Sequence, residues 1–158
     1  MNAKIKEKKI AVNNKNSQKN YVFAVGRRKA STAKIRLYKK DTEILGGILV
    51  KTGEIVINGK PVIEYFDKNL ERICKSPLVV TGNENRFAVS IVANGGGKMG
   101  QLDAVVLAMA RALDKVNKEK FHSALKKKEM LTRDPRVRQR RKVGMGGKSR
   151  RKKQSPKR

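Results

Sequence analysis

The sequence predicts an α+β domain of two layers, with a sheet on one side and helices on the other. Three observations carry that expectation. "AKIRLY" (33–38) and "RFAVSIVA" (86–93) alternate apolar and polar residues with the two-residue period of a half-buried strand. Residues 101–116 instead place Leu102, Val105, Val106, Met109, Leu113 and Val116 at i, i+3, i+4, i+7, i+11 and i+14, the stripe of a packed helix. After "LTRDP", large apolar side chains almost vanish, so the core belongs to residues 21–131.

Element by element, "YVFAV" (21–25) is a short apolar strand closed by Gly26. In the next strand Ala33, Ile35 and Leu37 face a core, while Lys34, Arg36 and Tyr38 face outward. "EILGGILV" (43–50) reads as a hairpin extension of the sheet, and "EIVING" (54–59) as a strand ending in an Asn58-Gly59 turn. Pro61 opens one or two short helices, in which Val62, Tyr65, Phe66, Leu70 and Ile73 recur at helical spacing until Pro77 interrupts them. Phe87, Val89 and Ile91 share the inner face of the best strand. In the 101–116 helix Asp103 occupies the first turn, with Arg111 and Lys115 toward the end, all favourable to the helix dipole. "KFHSALKKKEML" (120–131) predicts a last helix with Phe121, Leu125 and Leu131 inward.

Charge divides the chain into three parts. Residues 1–20 hold six Lys, one Glu and little periodicity, and read as a disordered basic extension. Residues 21–131 hold 11 of the 13 acidic residues. Residues 132–158 carry 13 Lys or Arg against a single acid, Asp134, and must be disordered or folded onto a partner. The formal net charge of +27 implies a polyanionic partner, because self-repulsion on this scale gains nothing in folding. Nucleic acid is the first candidate and an anionic membrane surface the second. No stretch approaches the roughly 18–20 apolar residues of a span, so no membrane partner is expected. The first 20 residues lack the apolar core of a secretory signal, and their single Ser and absence of Arg depart from a transit peptide.

Catalytic and metal chemistry find little support. The lone Cys74 rules out an intrachain disulfide or a cysteine zinc site, and reads as an inert, semi-buried thiol. His122, the only histidine, has no ligand cluster around it and suits surface or helix packing. One motif argues otherwise: Gly95, Gly97 and Gly100 satisfy G-x-G-x-x-G between a strand and a helix, the spacing that cradles a dinucleotide pyrophosphate. The wider context fails. No strand follows the helix, position 120 is Lys where a ribose-binding acid is needed, and Gly100 precedes Gln101-Leu102 instead of a Walker-type Lys-Ser. No cofactor is expected. The glycines can expose N–H groups to a nucleic-acid phosphate or serve close strand–helix packing, and both uses stand.

The cations are arranged. Arg27, Arg28 and Lys29 lie at the turn between the first two strands, beside Lys34 and Arg36, and together form a phosphate-binding edge; Lys98 adds a charge at the glycine turn. The tail holds eight Arg among its 13 cations, the residue suited to bidentate phosphate and base-edge contacts. Asp134-Pro135 forces a turn where the chain leaves the domain. Three Tyr and four Phe, mostly in apolar patterns, favour shape and backbone recognition over base stacking as the main binding mode.

"VGRRKASTAKIRL", "GEIVINGKPVIEYF", "GGGKMGQLDAVVLAMARAL" and "LTRDPRVRQRRKVG", in this order, resemble the successive signatures of small-subunit ribosomal protein nine of bacteria and organelles, over residues 21–158. The resemblance implies a non-enzymatic structural protein whose domain shares the fold of the second domain of small-subunit ribosomal protein five. It implies binding to small-subunit rRNA in the head, neighbouring small-subunit proteins as partners, and a tail reaching the peptidyl-site tRNA. Arg133, Arg136, Arg138, Arg140, Arg141 and Lys142 match the rRNA-contacting segment; Lys148, Arg150 and Arg151 extend it, and Lys157 with Arg158 carry the tRNA contact. It also implies a ribosome of the bacterial cytoplasm, with an organellar ribosome as the alternative. The family's aromatic near the tail tip is absent here, where Gln154-Ser155-Pro156 stands. Two rival readings make different predictions: a free-standing nucleic-acid packaging protein would bind any duplex, and a dinucleotide enzyme would bind NAD.

Overall fold

A computed structural model describes residues 21–44 and 48–144, so expectations for residues 1–20 and 145–158 lie outside the described residues. The architecture is α+β. Strands β1 (Tyr21–Arg28), β2 (Ser31–Tyr38), β7 (Ala88–Asn94), β5 (Ile55–Ile57) and β6 (Lys60–Pro61) form one sheet in the order β1-β2-β7-β5-β6. The sheet is mixed: β1, β2 and β7 pair antiparallel, whereas β5 runs parallel to β7. That parallel connection is made by α1 (Val62–Phe66) and α2 (Lys68–Val80), the pair of helices expected after Pro61. Helix α3 (Lys98–Val116) follows β7, and α4 (Lys118–Lys127) ends the domain.

The alternation seen in the sequence becomes the two faces of the sheet. Ala33, Ile35, Leu37, Val89 and Ile91 are almost fully buried on the inner face, with Leu102, Val105, Met109 and Leu113 of α3 in the same core. Ala104, Ala108 and Ala112 are buried as well. They explain why β1 does not end at Gly26 as expected but runs through it to Arg28. A Cβ on Gly26 would lie 2.0 Å from the Ala104 carbonyl oxygen and 2.6 Å from the Ala108 nitrogen. Gly26 is therefore a contact point between strand and helix.

Three further expectations are corrected. β3 (Thr42–Ile44) and β4 (Ile48–Val50) pair antiparallel as a hairpin expects, but they form a separate two-stranded sheet instead of extending the main one. Val50 joins Tyr38, Val56 and Ala88 in a second small cluster at one end of the outer face. Pro77 does not interrupt α2, which continues to Val80. Proline leaves the Ile73 carbonyl without its helical donor, and the Ser76 hydroxyl donates to that oxygen at 2.7 Å instead. Finally α3 begins at Lys98, so Asp103 lies beyond its first turn. The Asn58-Gly59 turn holds as read, both residues having positive φ (50° and 82°) as a two-residue type I′ hairpin requires.

Candidate nucleic-acid interface

The glycine turn is built for close packing. Gly95 and Gly96 adopt left-handed φ of 75° and 64°, and side chains there would collide with the β1–β2 turn. A Cβ on Gly95 would approach the Ala30 carbonyl oxygen to 2.6 Å, and one on Gly96 would approach Ser31 Oγ to 2.1 Å. A Cβ on Gly100, inside α3, would lie 2.8 Å from the same Ser31 Oγ. Ser31 Oγ donates to the Gly95 carbonyl at 3.1 Å. From the other side, the Gln101 amide donates to the same carbonyl at 3.1 Å while its oxygen accepts from the Tyr65 hydroxyl at 2.8 Å. Tyr65 in turn accepts from Asn58, whose amide bonds both the N–H and the carbonyl of Ala93. Of the two uses the sequence leaves open for these glycines, close packing is the one these contacts display at Gly95, Gly96 and Gly100; Gly97 alone faces open space.

The packing brings three segments to one end of the domain: the β1–β2 turn, the start of α3 and the root of the tail. Arg28 sits at their meeting point, its side chain 13% exposed. Its guanidinium contacts Asp134 Oδ2 at 2.9 Å and Asp103 Oδ2 at 3.4 Å, and donates to the Arg136 carbonyl at 2.7 Å. The sequence predicts Arg28 as part of a phosphate-binding edge; in the structure its guanidinium is engaged at the chain exit by these three acceptors. Asp134 is bound from the other side by Arg136, through both its backbone N–H (2.9 Å) and its guanidinium (2.7 Å). Those Arg136 hydrogen bonds, with Arg28 adding its charge, hold the Asp134 carboxyl well below the usual carboxylate range. The same pairing raises the Arg136 guanidinium further above its ordinary value. The turn predicted at Asp134-Pro135 is thus an ion-paired clamp.

The remaining predicted cations divide by location. Lys29, at positive φ (49°) in the turn, is exposed, as is Arg27 beside it in β1. Lys98 is exposed at the start of α3, 4.0 Å from Asp67. Arg133 and Arg136 are exposed at the clamp itself, where Arg136 pairs with Asp134, and Arg138, Arg140, Arg141 and Lys142 are exposed beyond it. Lys34 and Arg36 lie on the outer sheet face, with the Arg36 guanidinium 5.5 Å from the Tyr21 ring centre. Lys148, Arg150, Arg151, Lys157 and Arg158 lie outside the described residues. The structure adds residues that sequence reading missed. Lys115 Nζ and Arg111 Nη1 donate to the outward carbonyls of Phe23 (2.9 Å) and Val25 (3.1 Å), covering the free edge of β1. Asp103 becomes the second carboxylate of the clamp, a role invisible when it is read only against the helix dipole.

Among the described residues, no group of three or more His, Cys, Asp or Glu side chains could hold a metal. No helix among them is long and apolar enough to cross a membrane. Burial pushes the Cys74 thiol up to about 12, which matches the inert reading. His122 Nδ1 lies 2.8 Å from Asp114 Oδ1, joining α4 to α3, a packing role.

Comparison with known proteins agrees with the sequence resemblance. A family model described as ribosomal protein S9/S16 matches residues 26–158. The chain is 39% identical over 130 residues to small ribosomal subunit protein uS9 of Maridesulfovibrio salexigens, covering 82% of this chain and 91% of that protein. It is 38% identical over 134 residues to uS9 of Synechocystis, covering 84% and 89%. The uS9 of Bifidobacterium animalis subsp. lactis is 39% identical over 124 residues, covering 78% and 69%. A basic chain whose glycine turn packs a helix onto a hairpin, and whose arginine-rich segment leaves from a clamp, belongs to the ribosomal protein S9/S16 family, a family of structural ribosomal proteins and not of enzymes.

Proposed function

We propose that this chain is a structural constituent of the small ribosomal subunit, binding small-subunit rRNA in the head and neighbouring small-subunit proteins. One observation supports this above the others. Arg27 and Lys29 on the turn, Lys98 on α3, and Arg133 and Arg136 at the tail root are exposed at the end of the domain where the Arg28 clamp joins those segments. Backbone phosphates are the natural ligand of such a surface, since cations positioned on rigid elements bind phosphate without reading sequence. Lys34 and Arg36 extend it over the sheet, and Arg138, Arg140, Arg141 and Lys142 along the tail. In this reading Arg28 acts by anchoring, and Lys148, Arg150 and Arg151 continue the rRNA-binding segment. The three-part division, with a basic extension at 1–20, the domain at 21–131 and the tail at 132–158, follows from the same charge pattern. The domain is read as the fold of the second domain of small-subunit ribosomal protein five.

Lys157 and Arg158 are assigned to the peptidyl-site tRNA, on the family resemblance and their place in the arginine-rich tail. The ribosome in question is that of the bacterial cytoplasm, since the relatives compared are bacterial. Deleting Lys157 and Arg158 leaves subunit assembly intact and weakens peptidyl-site tRNA binding to purified small subunits. Unchanged tRNA affinity in the truncated subunits refutes the tail assignment.

A further inference from the structure

The outer face of the sheet combines cations with exposed apolar side chains. Cross-strand register places Phe23 opposite Arg36, and Val25 opposite Lys34, which in turn opposes Val92 of β7; Arg27 lies one row beyond. Phe23 is 43% exposed and Val92 45% exposed, although Ala24 on the opposite face of β1 and Val89, Ile91 and Ala93 on that of β7 are buried in the core. The cluster formed by Val50 covers Tyr38, Val56 and Ala88 at one end only, and among the described residues no element packs over Phe23. No carboxylate stands on the outward positions of β1, β2 and β7. Asp114, near the β1 edge, is engaged by His122.

A surface for a second protein's apolar side chains has no need of this uniform positive charge, and a phosphate site has no need of an exposed ring. Both are needed by a ligand that joins a flat aromatic face to a polyanionic backbone. From this juxtaposition we infer that the outer sheet face binds an unpaired RNA nucleotide. Its base stacks on Phe23 beside Val25, and its flanking phosphates meet Lys34 and Arg27. The inference rests on the rRNA-binding reading and gives it one stacking position within an interface otherwise made to the backbone. The sequence concealed it because "YVFAV" reads as a short apolar strand, without the alternation that would mark an outward face.

The test measures the affinity of the full chain for small-subunit rRNA across a potassium chloride series, for wild type, Phe23→Leu and Lys34→Gln, with thermal melts as the folding control. Phe23→Leu keeps an apolar side chain at an exposed site; it lowers affinity at least about fivefold and leaves the salt slope unchanged. Lys34→Gln lowers both affinity and slope, the slope by about 0.7–0.9. Equal affinity of wild type and Phe23→Leu overturns the stacking site alone. A wild type with no steep salt dependence overturns the rRNA reading on which the site rests. Ultraviolet cross-linking of assembled small subunits supplies an independent readout: a nucleotide attached to Phe23 supports the site, and a cross-link to a neighbouring protein instead refutes it.

Discussion

Replacing Arg28 by Ala removes the side chain whose guanidinium ties Asp134 and Arg136 of the tail root to the domain. The guanidinium reaches Asp134, Asp103 and the Arg136 carbonyl, the last at 2.7 Å, with 13% of the side chain exposed. A hydrogen bond from a charged donor contributes roughly 1.5–3 kcal/mol when well shielded. Asp103 is 54% exposed and screened by water, so the low end applies to Arg28 as a whole. That is about a tenfold loss of the docked tail root. No buried charge is stranded, because both carboxylates remain accessible to water, so the domain itself stays folded. The assay is amide hydrogen exchange over residues 131–138 of the full chain without RNA. Arg28→Ala accelerates exchange there about tenfold and leaves the α3 amides unchanged. Arg28→Lys restores part of the protection, since one ammonium keeps the charge but cannot span three acceptors. Unaltered exchange in Arg28→Ala refutes the clamp. The pH dependence has a definite sign. The folded Asp134 carboxyl titrates below its unfolded value near 3.9, so the contribution is fully present above about pH 5 and is lost progressively as pH falls below the unfolded value and through the depressed folded one. Protection of the tail root, corrected for intrinsic exchange, is therefore constant between about pH 5 and 7.5.

Two further outcomes follow from the packing. Gly26→Ala drives a Cβ into helix backbone at Ala104 and Ala108, atoms that cannot swing aside like a side-chain end. It destabilises the domain by roughly 3 kcal/mol and lowers the thermal midpoint by about 10 °C or more; an unchanged melt disproves the contact. Cys74, with its thiol pushed up to about 12, is inert to Ellman's reagent in the folded chain at pH 8 and reacts in urea at the rate of a free thiol. Rapid labelling of the folded protein contradicts its burial.

Much of the candidate site was legible as composition and very little as geometry. Arginine enrichment past Thr132 marks a tail that cannot form a core, because no apolar surface is present to offset its ordering entropy. The individual duties within the cationic set were not legible. Arg27, Arg28 and Lys29 are consecutive and chemically alike, yet only Arg28 faces the carboxylates of α3 and the tail root, a difference set by strand alternation and by helix placement together. The nucleotide-loop spacing Gly95–Gly97–Gly100 likewise says that side chains are absent, without saying what occupies their place.

By itself, the sequence determined the α+β class, the inner faces of β2 and β7 and the α3 stripe, because periods of two and 3.6 residues report which side chains meet a core. It determined the Asn58-Gly59 hairpin too, since local φ preferences suffice for a two-residue turn. Tertiary structure alone decided what required two distant segments to meet. β1 runs through Gly26 because α3 lies against it, and α2 runs through Pro77 because Ser76 supplies the missing donor. The glycine turn closes on Ala30 and Ser31, more than 60 residues earlier in the chain, where a pattern of spacing carries no information about the neighbour.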